Sequence, residues 1–447
     1  MKKCRVQQCS TRRSIRRSRE SALLSGIFCL TKPGGVAGIG LRGLTSVCTL
    51  KNQTCNMFRI TTFHQLMKGL PRATFDQLVT RRNADKYCKR FGHWDHLIAM
   101  LYAQLSGASG LRPLETGFNS HVAHHYHLGT APVKRSTLAD ANEKRSDVVF
   151  SDTAAWLMGK VSRKLRRDGQ EFMYLLDSTS LTLKGREFDQ WTLANRTRNT
   201  QGMKLHVLFD AQAAAPTWHA FSAANVNDIE RATDVRLERG ALYVFDKGYN
   251  DYNWWHAIDE ADARFVTRYK RNASVCAVRK IDVPDDAREL VLSDEIVTFK
   301  NKRPGGQRIN LYHGKNLRRV TVARPDKATP IVLATNDFDS SALQIAQRYK
   351  ERWGIELFFK WIKQHLRIKQ FLGRSENAVR IQVLTALISY LLVALFRETN
   401  GLKQTLWDCL CLVRATLFQR AASEAWVERR RRRDAQLMAE KQGCLFA

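Results

Sequence analysis

The sequence predicts an α/β fold: a mixed β-sheet with helices packed on it, led by a helical unit and carrying a strand-rich insertion. Three observations predict it. From residue 57 to about 165, apolar residues recur three and four positions apart, the period of one helix face. From about 171 the pattern changes to short apolar runs bounded by turn residues, which read as strands. Those runs come first in series and then alternate with helical stretches, which suggests a mixed sheet with helices laid on it.

In the leading unit, FHQLMKGL, FDQLVTRR and WDHLIAMLYAQLSG carry the helical period. A loop follows with His121, His124, His125 and His127, which lacks the accompanying Cys or acid pattern of a metal site. Ser136 marks the next helix start, and VVFSDTAAWLMGKVSRKLRR the helix after it. The strands are EFMYLLDSTS, MKLHVLFDA, TWHAFSAA and ALYVFDKGY. NDIERATDVRLERG and DYNWWHAIDEAD read as helices. From about 270 to 335, SVCAVRKI, ELVLSDEIVTF, RINLYHG, RRVTVAR and PIVLATN form a stretch too long for a loop, a β insertion. One long helix is expected from near Ser341 past Phe359. The apolar run from Gln382 to Phe396 is shorter than a membrane span and is bounded by Arg380 and Arg397, so a buried helix is expected.

This division gives a leader at 1–56, a helical N-terminal DNA-binding domain at 57–165, a catalytic domain at 170–375 and a helical basic region at 376–447. The leader is Arg- and Ser-rich, then Gly-rich. It is expected to be disordered or to precede a true start at Met57, with a transit peptide or a basic DNA-binding arm as alternatives. Its G-x-G-x-x-G at Gly38, Gly40 and Gly43 follows no strand and is a chance match.

Composition narrows the function. The 447 residues suit two or three units, and 44% hydrophobic with 26% charged residues is ordinary for globular chains. The charge is +31, from 73 Lys and Arg against 42 Asp and Glu. Residues 1–56 hold 11 basic residues and one acid, so the remainder is strongly basic without them. Such a surplus points to a polyanion, with nucleic acid ahead of a membrane surface. Ten scattered Cys without a C-x-x-C suit a reduced, cytosolic protein. No G-x(4)-G-K-[ST] loop is present, so no nucleotide-hydrolysing motor is expected.

Two acids lie where strands are expected to end, Asp177 after FMYLL and Asp246 after LYVF. If the two strands are neighbours and parallel, both carboxylates project at the carboxyl edge of the sheet, where open α/β folds bind ligands. Singly, each reads more readily as a turn Asp. In the long helix, Tyr349, Arg352, Glu356 and Lys363 fall within about 60° of arc at ~100° per residue. Lys360 and Arg367 extend this cationic stripe, while Ile355, Phe358, Trp361 and Ile362 lie opposite. Pairs four apart explain the Glu on a solvated face but not the Tyr or the length of the stripe.

These residues carry a resemblance. Y-x(2)-R-x(3)-E-x(6)-K, here Tyr349, Arg352, Glu356 and Lys363, is similar to the signature of DDE transposases of the insertion-sequence-four family. Asp246, Gly248 and Tyr249 match the family's D-x-G-Y/F, and Asp177 with Ser178 and Thr179 matches its first acid. The resemblance covers about residues 57–400. It implies a ribonuclease H-like fold in which Asp177, Asp246 and Glu356 are the catalytic acids and hold two Mg²⁺ ions, with Mn²⁺ able to substitute. It further implies cleavage at transposon ends and strand transfer into target DNA, with Tyr349, Arg352 and Lys363 on phosphates near the cut. Lys360 continues that set.

Lys204 and His206, on the strand after that of Asp177, alternate onto one face and are candidates for DNA contact near the metals. Some family members hold a flipped base with a Trp in the β insertion. None lies between 270 and 340 here, which leaves Tyr312 and His313 as substitutes. The expected partners are terminal inverted repeats and target DNA, in a homodimer that pairs two ends, acting in the bacterial cytoplasm at the nucleoid. The alternatives are an inactive transposase-derived DNA-binding protein or repressor, and a nuclease without strand transfer.

Overall fold

The computed structural model describes residues 60–419, except 167, 168, 170, 199, 271, 272, 305–307, 325 and 326. The expected leader and residues 420–447 of the expected basic region, with their run Arg429–Arg433, lie outside the described residues.

Among the described residues, nine strands form one sheet: β1 (Met173–Thr182), β2 (Gly202–Asp210), β3 (Ala215–Ala223), β4 (Leu242–Phe245), β5 (Arg264–Arg268), β6 (Val275–Ile281), β7 (Val291–Phe299), β8 (Leu317–Arg324) and β9 (Lys327–Thr335). Their order is β3-β2-β1-β4-β5-β9-β8-β7-β6. β1, β2 and β3 are an antiparallel meander, and β4 and β5 join β1 in parallel. That 3-2-1-4-5 half is the mixed sheet the sequence predicts. The insertion extends the same sheet, because β9 pairs antiparallel with β5. RINLYHG is not a strand. Residues 311–314 form a turn whose Tyr312 packs inward. The segment after Asn227 keeps only a short helix, Asp228–Ala232.

Alternation along β1 divides the sheet's two faces. Tyr174 and Leu176 join Tyr243, Phe245, Phe265 and Trp255 in an aromatic core, where the helix Tyr252–Glu260 packs. Leu175 is paired with Phe209, whose ring lies 4.9 Å from that of Phe358 in the helix Trp353–His365. This second face is therefore covered by the amphipathic helix with the cationic stripe.

The expected single helix from Ser341 is two. Ser341 caps Ala342–Glu351 in a capping box with Gln344, and Trp353–His365 follows. Around Arg352 the bonding tightens to three-residue spacing, Arg352 N to Tyr349 O at 3.2 Å and Ile355 N to Arg352 O at 3.3 Å.

The helices that flank the sheet in sequence meet in space. Glu376–Thr399 packs on Val148–Leu165, His93–Ser106 and Arg135–Lys144. It is the one helix among the described residues long and apolar enough to cross a membrane, and it is buried among these helices. The histidine segment forms short helical turns, not a loop.

Candidate active site

The first acid sits in mid-strand, which corrects the expectation that its strand ends there. β1 runs on to Thr182 against β2, while its pairing with β4 stops at Leu176–Phe245. Asp177 and Asp246 are the next residue on each side of that last parallel pair. Both therefore lie at the carboxyl edge of the parallel half, on the face of Leu175. Asp246 leads into the short turn Lys247–Tyr249.

Glu356 arrives from above that face, in the first turn of Trp353–His365, where the helix dipole favours an acid. Gly354 permits the approach. A Cβ there would lie 3.3 Å from Leu175 Cδ1, so the helix backbone sits directly on β1.

Two arginines and a tyrosine tie the acids. Arg352 Nη1 lies 3.5 Å from Asp177 Oδ2, and its Nη2 donates to Glu356 Oε1. Arg268 Nε lies 3.5 Å from Asp246 Oδ1, and the Tyr349 hydroxyl donates to the same oxygen at 3.4 Å. Asp177 Oδ1 accepts from the Ser178 amide at 2.8 Å. Burial pushes the Asp177 carboxyl up to about 6. The Ser178 amide and Arg352 oppose that push, and the neighbouring Glu356 and Asp246 charges add to it. Both other carboxylates thus act on Asp177, and the hard oxygen donors of the three suit a hard divalent cation.

The signature residues occupy two positions. Tyr349 and Arg352 stand against the carboxylates, with Tyr349 only 9% exposed and its hydroxyl pushed up to about 12 by burial. Lys360 and Lys363 line a cleft of about 400 Å³ that opens from Asp177 and Glu356. Lys363 Nζ also reaches the Ser180 carbonyl at 3.3 Å.

Lys204 and His206 do not join the site. They pair with Ser180 and Ser178 across the β1–β2 ladder, so they lie on the face opposite Asp177. His206 is fully buried on the Ser222 hydroxyl at 2.8 Å, and burial lowers its pKa to about 4. Lys204 is held by Asp228 at 2.9 Å. The expected DNA contacts for both are corrected by this placement: alternation put the pair on one face, but the wrong one. Tyr312 is likewise unavailable as a base platform, since it is 1% exposed and its hydroxyl donates to Asp259. Arg268 was missed. Its signal was an arginine at the carboxyl end of β5, the third parallel strand reaching the same edge.

A mixed sheet with three acids gathered at one edge, beside a cationic helix face, is the site to be set against known proteins. The family model for the transposase DDE domain matches residues 173–392, and one for a domain of unknown function matches 59–131. A putative transposase, y4zB, of Sinorhizobium fredii is 40% identical over 63% of this chain and 77% of its own length. A putative transposase for the insertion sequence element IS4SA of Synechocystis is 23% identical over 65% of this chain and 80% of its own. A probable transposase for the element IS5377 of Geobacillus stearothermophilus is 26% identical over 56% of this chain and 64% of its own. A solved piggyBac transposase synaptic complex with hairpin DNA aligns over 83% of this chain and 80% of that chain, at 11% identity and a TM-score of 0.41. The chain belongs to the transposase DDE domain family and is a DNA transposase. Its insertion-sequence relatives agree with the insertion-sequence-four resemblance.

Proposed function

We propose that this transposase cuts DNA at the ends of an insertion sequence and joins the freed ends to target DNA, with Asp177, Asp246 and Glu356 holding two Mg²⁺ ions. The observation that carries the reading is the convergence of the three carboxylates from β1, the end of β4 and the helix Trp353–His365. Bound there, the metals would supply an activated oxygen nucleophile and stabilise the leaving oxygen at phosphorus.

The chain's own residues do the rest. Arg352 and Arg268 relieve carboxylate repulsion and offer further donors to a phosphate. The Tyr349 hydroxyl orients Asp246. Lys360 and Lys363 neutralise phosphates in the cleft. The helical unit from residue 57 to 165 binds the transposon end, and two copies of the chain pair two ends in the bacterial cytoplasm.

Glu356→Gln keeps the shape and removes the charge. It is expected to abolish Mg²⁺-dependent cleavage of a labelled transposon end while binding of that end persists. Cleavage at the unsubstituted rate refutes the assignment of this acid.

A further inference from the structure

The cleft beside the acids continues into a second one of about 600 Å³, and the two share Lys363, Gln364 and Lys369 as walls. The second runs between the segment after His365 and the helical unit, meeting Gly107 at the end of His93–Ser106 and Arg414 of Leu406–Thr416. Five cations line this path: Lys360, Lys363, Lys369, Arg367 and Arg414. Among the described residues, none of the five lies in an ion pair, although acids pair with many other basic side chains of the molecule.

Two of them have structural duties. Arg367 Nη2 donates to the Gly107 carbonyl, and Arg414 donates to the Leu105 and His365 carbonyls, closing helix C-termini. Arg367 Nη1 also donates to Gln370, and Lys363 to the Ser180 carbonyl, but these bonds leave further donors on both arginines and on Lys363 and explain neither Lys360 nor Lys369. Like charges gathered in one groove repel. Burial lowers the Lys363 pKa, and Lys369 adds to the effect.

We propose that this groove is a second DNA subsite, a tract for the sugar–phosphate backbone of the strand being cut as it leaves the acids toward the helical unit. Continuity through Lys363 makes it the same strand, since one wall serves both clefts. Five cations without a carboxylate partner suit phosphates, and the one exposed ring beside them, Trp407, is already stacked on His365 at 3.9 Å. The inference rests on the proposed function, because only a DNA strand held at Asp177 and Glu356 would enter here.

Lys369 is exposed and makes no side-chain hydrogen bond among the described residues, so it can be removed cleanly. The test titrates duplex carrying a transposon end with the full chain across a salt series. Lys369→Ala is expected to bind several-fold more weakly at low salt, with a log–log salt slope shallower by about 0.9, one phosphate contact. Lys315→Ala is the control, since Asp259 and Glu260 already hold its charge. The deficit should disappear on duplexes shortened on the flank that enters the groove. An unchanged slope for Lys369→Ala overturns the groove and leaves the acids' role standing. Absence of salt-dependent binding by the unsubstituted chain overturns both.

Discussion

Asp177 holds a charge where burial disfavours one. Its carboxyl titrates near 6 in the fold against an ordinary 3.8, and burial is the largest cause. A folded pKa above the unfolded one means that the native state binds the extra proton between those values. Stability from this group is therefore full below pH ~3.8 and is lost as pH rises through ~6. Two units correspond to ~3 kcal/mol at most. Asp177→Asn should thus melt higher than the unsubstituted chain at pH 8 in a chelator, and the gap should close toward pH 4. Mg²⁺ should raise the Tm of the unsubstituted chain and not that of Asp177→Asn. Equal Tm values at pH 8 would show that burying the Asp177 charge costs the fold nothing. At this scale the sequence singled out the acids the fold brings together only through the spacing of Tyr349, Arg352, Glu356 and Lys363, because a carboxylate after an apolar run is by itself a common turn Asp. Arg268 was not legible, since its partner Asp246 lies on another strand and only the β4–β5 pairing brings them together.

The elements place those side chains. The stripe computed on a single straight helix survives the break at Arg352 because that residue keeps right-handed helical torsions, φ −50° and ψ −28°. Periodicity could not show the break, since i+3 and i+4 bonding leave nearly the same face exposed. Nor could it show which sheet face Lys204 and His206 share, which depends on the register with β1. The insertion also has a positional role. Arg318 of β8 is 4% exposed and makes two bonds to Asp294 of β7, at 2.9 and 2.6 Å. It also donates to the Asp337 and Ser340 carbonyls, immediately before the capped start of Ala342–Glu351. Arg318 thereby fastens the insertion to the helices that carry Tyr349 and Glu356. Arg318→Met leaves Asp294 buried without its cation, a loss of ~3–5 kcal/mol. Chemical denaturation should report that loss, and Asp294→Asn added to Arg318→Met should recover part of it. A change below 1 kcal/mol for Arg318→Met would show that the pair is dispensable.

At the scale of the whole molecule, the sheet is enclosed by helices drawn from both sides of it in the chain. The Tyr390 hydroxyl of Glu376–Thr399 donates to the Ala214 carbonyl between β2 and β3, and its ring meets Phe358 at 5.0 Å. A Cβ on Gly69 would lie 2.7 Å from Leu392 Cδ2, so the Gly69 backbone packs directly against side chains of the late helix. The expected boundaries at 165 and 376 follow composition along the chain, and composition carries no information about contacts between residues 300 positions apart. The apolar run from Gln382 was legible as buried, but not what buries it. This packing has a consequence for truncation. Ile381, Leu384, Leu387, Ile388, Leu391 and Leu392 are each 0% exposed. At ~1.5–3 kcal/mol per side chain, their burial matches the ~5–15 kcal/mol net stability of a typical domain. A chain ending at residue 375 should therefore lack a cooperative thermal transition and bind a hydrophobic dye, with His93–Ser106 and Val148–Leu165 stripped of their partner. Co-expression with the segment 376–447 should restore the transition. Cooperative melting by the shortened chain alone would mean that the leading helices fold without the late one, and that the two flanks are separate units after all.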